Sequence, residues 1–220
     1  MVELTENEKK VLNGISFHTD EILKGELCDE DMVLLDEMRA VEAYLKEKYP
    51  NYSFELTGCE PKSGTTRTYS EWYFKSDQID RESAFIAMSE ESDDGFSVKD
   101  AFFGQLIKDS IKETLEQILN AHNLPVIDIE VSFWEYLGKE YDENISADKV
   151  LHGEIDAGND FKIFLDDSKL NDKDYKQLLE NLKNLLENNG ICGEIYLVII
   201  KTADGDFAKD RLFSDSILLG

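Results

Sequence analysis

Two adjoining patterns of different period constrain this chain more than any other feature. Phe102, Phe103, Leu106, Ile107, Ile111, Leu115, Ile118 and Leu119 recur at helical spacing behind Asp100, which is placed to cap the helix. Beyond Pro125, Val126-Ile127-Asp128-Ile129-Glu130-Val131-Ser132-Phe133 alternates with a period of two, which predicts Ile127, Ile129, Val131 and Phe133 inward and Asp128 and Glu130 outward. A helix stripe and a strand face must each bury against something, so the chain has to pack helix on sheet.

The same reading extends in both directions. Thr5 with Glu8 three residues on fits a capping box, and Val11, Leu12, Ile15, Ile22 and Leu23 follow, predicting a leading helix within residues 1–28 that Gly14 weakens. Asp29 can cap a second helix whose stripe is Leu34, Leu35, Met38, Val41 and Leu45, ending before Pro50. Strands are expected over 52–57, 69–74 and 84–88, with an acidic turn at 90–95 leading to a short strand at 96–98. Residues 138–160 read as an acidic, Gly- and Asn-rich excursion with one helical turn opened by Ser146, and as the most mobile region. After a strand at 161–165, Asn171 can cap a helix carrying Leu178, Leu179, Leu182, Leu185 and Leu186, and 194–200 reads as a central strand.

These elements predict an α+β fold: a mostly antiparallel sheet packed by long amphipathic helices, with a smaller βαβ-like C-terminal half. The expected division is 1–122 and 123–220, with one continuous domain as the alternative. Helices starting near 31, 101 and 172 are spaced by 70 and 71 residues, as a diverged repeat or by coincidence.

Charge narrows the function classes. With 48 Asp and Glu against 23 Lys and Arg, the formal net charge of -25 repels other polyanions, so direct nucleic-acid binding and anionic membranes are disfavoured. The acid is spread, with 27 acids against 13 bases up to Asn120 and 21 against 10 after it. At 41% hydrophobic and 10% aromatic, the chain carries enough apolar surface to fold despite that charge. Cys28, Cys59 and Cys192 lack the close pairs of redox or metal motifs and read as reduced, packed thiols. With no secretory signal pattern and no apolar run approaching a membrane span, the expected location is cytoplasmic.

No phosphate-loop, dinucleotide or nucleophile-elbow pattern is present, and no cofactor is expected. The loop 58–67 carries Lys62, Ser63, Thr65, Thr66 and Arg67, which could hold an anion or simply connect strands. Among the histidines, His122 ends a helix and reads as a cap, whereas His152 has Asp148, Glu154 and Asp156 nearby, a possible divalent-metal set in a chain where neighbouring acids are common by chance. Trp72, Tyr73, Phe74, Phe133, Trp134 and Tyr136 are too many aromatics for one buried face. An exposed aromatic ringed by carboxylates suits a surface for a basic protein, and Trp72, Asp128, Glu130, Trp134, Glu135, Asp142 and Glu143 are the candidate contacts. The favoured expectation is therefore a non-enzymatic acidic binding protein for a basic protein partner, of the immunity, antitoxin or DNA-mimic kind. An enzyme or ligand domain using the 58–67 loop or the His152 set is the alternative, and acidity serving only solubility is the plain one.

Overall fold

The computed structural model describes residues 1–79 and 83–220. In chain order the elements are α1 (Glu6–Ile15), α2 (Thr19–Lys24), α3 (Asp29–Lys48), β1 (Phe54–Glu60), β2 (Tyr69–Ser76), β3 (Phe85–Ser92), β4 (Gly95–Asp100), α4 (Phe102–Ala121), β5 (Val126–Phe133), α5 (Ala147–Leu151), β6 (Asn159–Asp166), α6 (Tyr175–Asn188), β7 (Gly193–Ile200) and β8 (Arg211–Leu219). The fold is α+β, with a four-stranded antiparallel sheet and a four-stranded mixed sheet. Two compact units divide the chain, 1–105 with 136–144 and 106–135 with 145–220.

In the first unit the Thr5 hydroxyl accepts from the Glu8 amide while the Glu8 carboxylate accepts from the Thr5 amide, which closes the expected capping box of α1. The single leading helix does not form. Ser16 takes an extended backbone, the chain turns through Phe17 and His18, and α2 starts at Thr19. Asp29 is the first helical residue of α3 and not its cap; Cys28 holds that position and makes no side-chain capping bond. The stripe of α3 is buried at Leu35, Met38, Val41 and Leu45.

The sheet is a meander ordered β1-β2-β3-β4. β1 continues through Gly58-Cys59-Glu60, because a register shift between Leu56 and Gly58 lets pairing with β2 resume where a loop was expected. Along β2, Ser70, Trp72, Phe74 and Ser76 are buried and their neighbours are half-buried, a strict period of two. Phe54, Phe85 and Tyr49 pack around Phe102 with ring centroids 4.9 Å from it. Asp100 closes β4, and its carboxylate accepts from the Phe102 amide at 2.9 Å, as expected at the start of α4. The same carboxylate takes Lys48 at 2.7 Å and the Tyr49 hydroxyl at 2.9 Å, and Lys48 also donates to the Leu137 carbonyl at 2.9 Å. Asp100 and Leu137 exchange backbone bonds, which seats residues 136–144 in this unit.

In the second unit the sheet order is β5-β6-β7-β8, with β6 and β7 parallel and the outer pairs antiparallel. The parallel pair is joined through α6, the βαβ-like arrangement expected from the sequence. Asp174 caps α6 instead of Asn171, its carboxylate accepting from the Gln177 amide at 3.1 Å. Gly193 opens β7 at φ +141, and a Cβ there would lie 2.5 Å from the Asn159 carbonyl oxygen. A register shift between Val126 and Asp128 moves Ile127 off the face of Ile129: Ile127 packs on Phe164 and Val198, while Ile129 pairs with Ile163 on the other side. Of the expected excursion 138–160, the part from 145 onward lies in this unit; it holds α5, capped by Ser146, and supplies buried Val150, Leu151, Ile155 and Ala157. The strands that follow α3 and α4 are edge strands of their sheets and the one that follows α6 is an inner parallel strand, so the third helix–strand unit is placed differently from the first two. Among the described residues no helix is long and apolar enough to cross a membrane.

Candidate functional site

One face of the mixed sheet is covered by α6: Leu179, Leu182 and Leu186 are buried, and the Tyr175 ring lies 5.6 Å from that of Phe213 on β8. Strand alternation assigns the opposite face. There Glu130 pairs with Lys162 and Ser132 with Asp160, Asp160 lies beside Glu194 and Lys162 beside Tyr196, and Glu194 and Tyr196 pair with Leu218 and Ser216. All of these residues are exposed or half-exposed. At its other end the same face closes over Phe164, Val198 and Ile200, where Phe207 stacks on Phe164 at 4.5 Å.

Carboxylates outnumber cations on the open part. Lys162 reaches Glu130 at 3.2 Å, and the Ser132 hydroxyl donates to Asp160 at 3.1 Å. Burial and the neighbouring Glu194 hold the Asp160 carboxyl above the usual range, against the opposing effects of Ser132 and Lys162. Glu194 and Asp160 thus form a pair of like charges that a cation would relieve. Trp134 continues the β5 pairing by donating its amide to the Gly158 carbonyl at 3.0 Å, and its residue is 69% exposed. With Asp156, Asn159, Glu194 and Leu218 it lines a groove of about 260 Å³. Asn159 is buried, donates its amide to the Val150 and Cys192 carbonyls at 2.8 and 2.9 Å, and has no hydrogen-bond partner for Oδ1 among the described residues.

The residues named from sequence separate into several places. Trp72 is fully buried, donating Nε1–H to Ser89, which donates in turn to Glu37, so it is removed from any contact surface. Its alternation along β2 points it into the core with Phe74. Asp128 sits on the edge strand β5, paired with Lys112 at 2.5 Å. Glu130 and Trp134 stand on or beside the open face, and Glu135 is exposed next to Trp134. Asp142 and Glu143 belong to the first unit, where Asp142 accepts from the Asn144 amide and Glu143 from the Asn51 side chain.

The 58–67 loop has its cations engaged. Lys62 pairs with Glu91 at 3.0 Å, and Arg67 with Glu71 at 2.5 Å and Glu60 at 3.3 Å. Thr65 donates to the Lys62 carbonyl and accepts from the Arg67 amide, while Ser63 and Thr66 are exposed. An anion would have to displace carboxylates already in place. Among the described residues the alternative metal set of Asp148, His152, Glu154 and Asp156 does not converge: His152 Nε2 faces Asp148 at 3.3 Å, its Nδ1 lies 2.9 Å from the Gly190 carbonyl, and Asp156 accepts from the Gly158 amide. His122 caps as expected, its Nδ1 2.9 Å from the Ile118 carbonyl.

One constellation was missed. His18 Nδ1, Cys28 Sγ and Asp31 Oδ2 converge where the α1–α2 turn meets the start of α3, and among the described residues they are the one group of metal-ligating side chains whose atoms all lie within 4.8 Å of one another. Asp31 is buried; desolvation raises its carboxyl, and hydrogen bonds with Ser16, Cys28 and His18 outweigh it and hold it below the usual range. The available signal was Cys28 and Asp31 three residues apart on a first helical turn. No family model, curated protein or solved structure matches the chain, so its site is read from its own geometry.

Proposed function

We propose that the chain is a non-enzymatic acidic binding protein that receives a basic segment of a protein partner on the open face of its mixed sheet. The observation that carries this reading is the composition of the open part of that face: Glu130, Asp160 and Glu194 with Lys162 among them, around Tyr196, Leu218 and the exposed Trp134. Aromatic and aliphatic anchors supply apolar contact, and the carboxylates steer and orient a cationic ligand. The raised Asp160 and its neighbour Glu194 store repulsion that a Lys or Arg side chain neutralises. A partner whose cations normally meet phosphates fits this face, which is the chemistry of an inhibitor or DNA-mimic.

The test is a titration with a Lys- and Arg-rich peptide bearing one aromatic residue, followed by tryptophan fluorescence in a Trp72→Phe background so that Trp134 reports alone. Saturable binding that weakens with salt and is lost in Glu130→Lys/Glu194→Lys supports the proposal. Binding indifferent to those charge reversals, or no binding at low salt, overturns it.

A further inference from the structure

We propose that His18, Cys28 and Asp31 bind one divalent transition-metal ion, zinc by the chemistry of the donors, through Nδ1, Sγ and Oδ2. The three atoms form a near-equilateral triangle: Nδ1 to Oδ2 is 3.1 Å, Sγ to Oδ2 3.2 Å and Sγ to Nδ1 3.4 Å. The circle through them has a radius of about 1.9 Å, so an ion about 1 Å off their plane stands at the roughly 2.0–2.3 Å that zinc keeps to nitrogen, oxygen and sulfur. Thiolate, imidazole and carboxylate together suit zinc and exclude calcium and magnesium, which take oxygen.

The competing reading of these residues is a Cys-His-Asp catalytic triad, and the geometry disfavours it. A triad uses both ring nitrogens, one toward the nucleophile and the other toward the carboxylate that orients it. Here Cys28 and Asp31 both address Nδ1, and so does the Ser16 hydroxyl at 3.3 Å. One ring nitrogen carries either a proton or a lone pair, so it cannot take a proton from Cys28 while donating one to Asp31. Convergence of three donor atoms on a point is what a metal ion needs.

Local structure prepares the site. Cys28 at the N-cap of α3 and Asp31 in its first turn lie on one side of the helix start, and neither performs the capping bond those positions usually supply. Ser16 accepts from the His18 amide at 3.1 Å, which fixes the turn that presents the imidazole. Three protein ligands leave a fourth position to water, and the half-exposed His18 side chain gives solvent access to it.

The experiment is titration of the reduced 220-residue chain with cobalt(II), read by absorption, followed by displacement with zinc and by calorimetry. The expected result is one equivalent bound, with a thiolate-to-cobalt charge-transfer band and the intense visible bands of tetrahedral coordination. Cys28→Ser should abolish the charge-transfer band, and His18→Ala should weaken binding by more than the roughly 10–100-fold typical of losing an outer-shell partner. Cys59→Ser and Cys192→Ser should bind as the parent does. Circular dichroism verifies that each variant is folded, and the half-exposed His18 gives a readout should Cys28→Ser disturb the helix start. Absence of the band in the parent, its survival in Cys28→Ser, or its loss in Cys192→Ser would each overturn the assignment.

Discussion

Lys48 Nζ lies 2.7 Å from Asp100 Oδ2, and both side chains are wholly buried. Burial pulls the lysine below its ordinary pKa, while Asp100 acts in the opposite direction. The pair is surrounded by donors and acceptors that complete it: Tyr49 on the second carboxylate oxygen and the Leu137 carbonyl on the ammonium. Asp100→Asn or Lys48→Met strands one buried charge, and each should cost about 3–5 kcal/mol. Urea denaturation checks this. The double variant should cost clearly less than the two single losses added together, because it leaves no unpaired ion.

Glu8 closes the capping box of α1 and accepts from Arg39 Nε at 2.7 Å. Burial raises its carboxyl, but the Arg39 and Thr5 hydrogen bonds prevail, so it titrates below its ordinary 4.5. The unfolded chain therefore takes up the proton first as pH falls. Stability contributed by Glu8 is complete well above pH 4.5 and lost as pH drops through the depressed folded value. Glu8→Gln should cost about 1 kcal/mol near neutrality. The gap between its urea midpoint and that of the parent should close progressively on acidification.

Asp160 has the opposite sign. Its folded pKa is raised, so its contribution is favourable below the ordinary carboxylate range and turns unfavourable as pH rises through the folded value. Asp160→Asn should raise the thermal midpoint at neutral pH, by no more than a few degrees, and lose that advantage in acid. The same variant should weaken binding of a basic peptide. Stability gained with affinity lost is the behaviour of a site that holds like charges together for a ligand.

The two tryptophans should be told apart by quenching. Trp72 is fully buried and Trp134 is 69% exposed. In Trp134→Phe the remaining emission should be blue-shifted and shielded from acrylamide; in Trp72→Phe it should be red-shifted and readily quenched. Trp134→Phe should change stability by less than about 0.5 kcal/mol. Trp72→Phe removes the donor to Ser89 inside the core and should cost about 1–3 kcal/mol.

Much of the architecture was legible because its signals are local. The stripe of α4, the alternation of β2 and the capping box at Thr5 and Glu8 each lie within a few residues of one another. What was lost depends on partners far along the chain. The bulge after Leu56 and the one that turns Ile127 away from Ile129 are properties of pairing, visible only against β2 and β6. β8 alternates weakly, since Leu212 and Leu218 stand on its exposed side. The open face was half legible: Glu130 and Trp134 could be named, but Asp160 and Glu194 belong with them only through the parallel register of β6 and β7. The lysines that engage Asp128 and Glu130 come from other elements, and so does the turn that carries His18 to Cys28.

Residues 136–144 belong to the first unit although residues 106–135 belong to the second. During synthesis this sets a clock. Lys48 leaves the ribosome 89 residues ahead of the Leu137 carbonyl it donates to, an interval of roughly 4–18 s at ordinary elongation rates. For the last 37 residues of that interval, once Asp100 has emerged, the strands of the first sheet are complete but the Lys48 ammonium still lacks one of its acceptors. The first half of the chain thus cannot finish before part of the second has emerged, and a cut anywhere between residues 106 and 136 would separate Lys48 from Leu137 rather than release an independent domain.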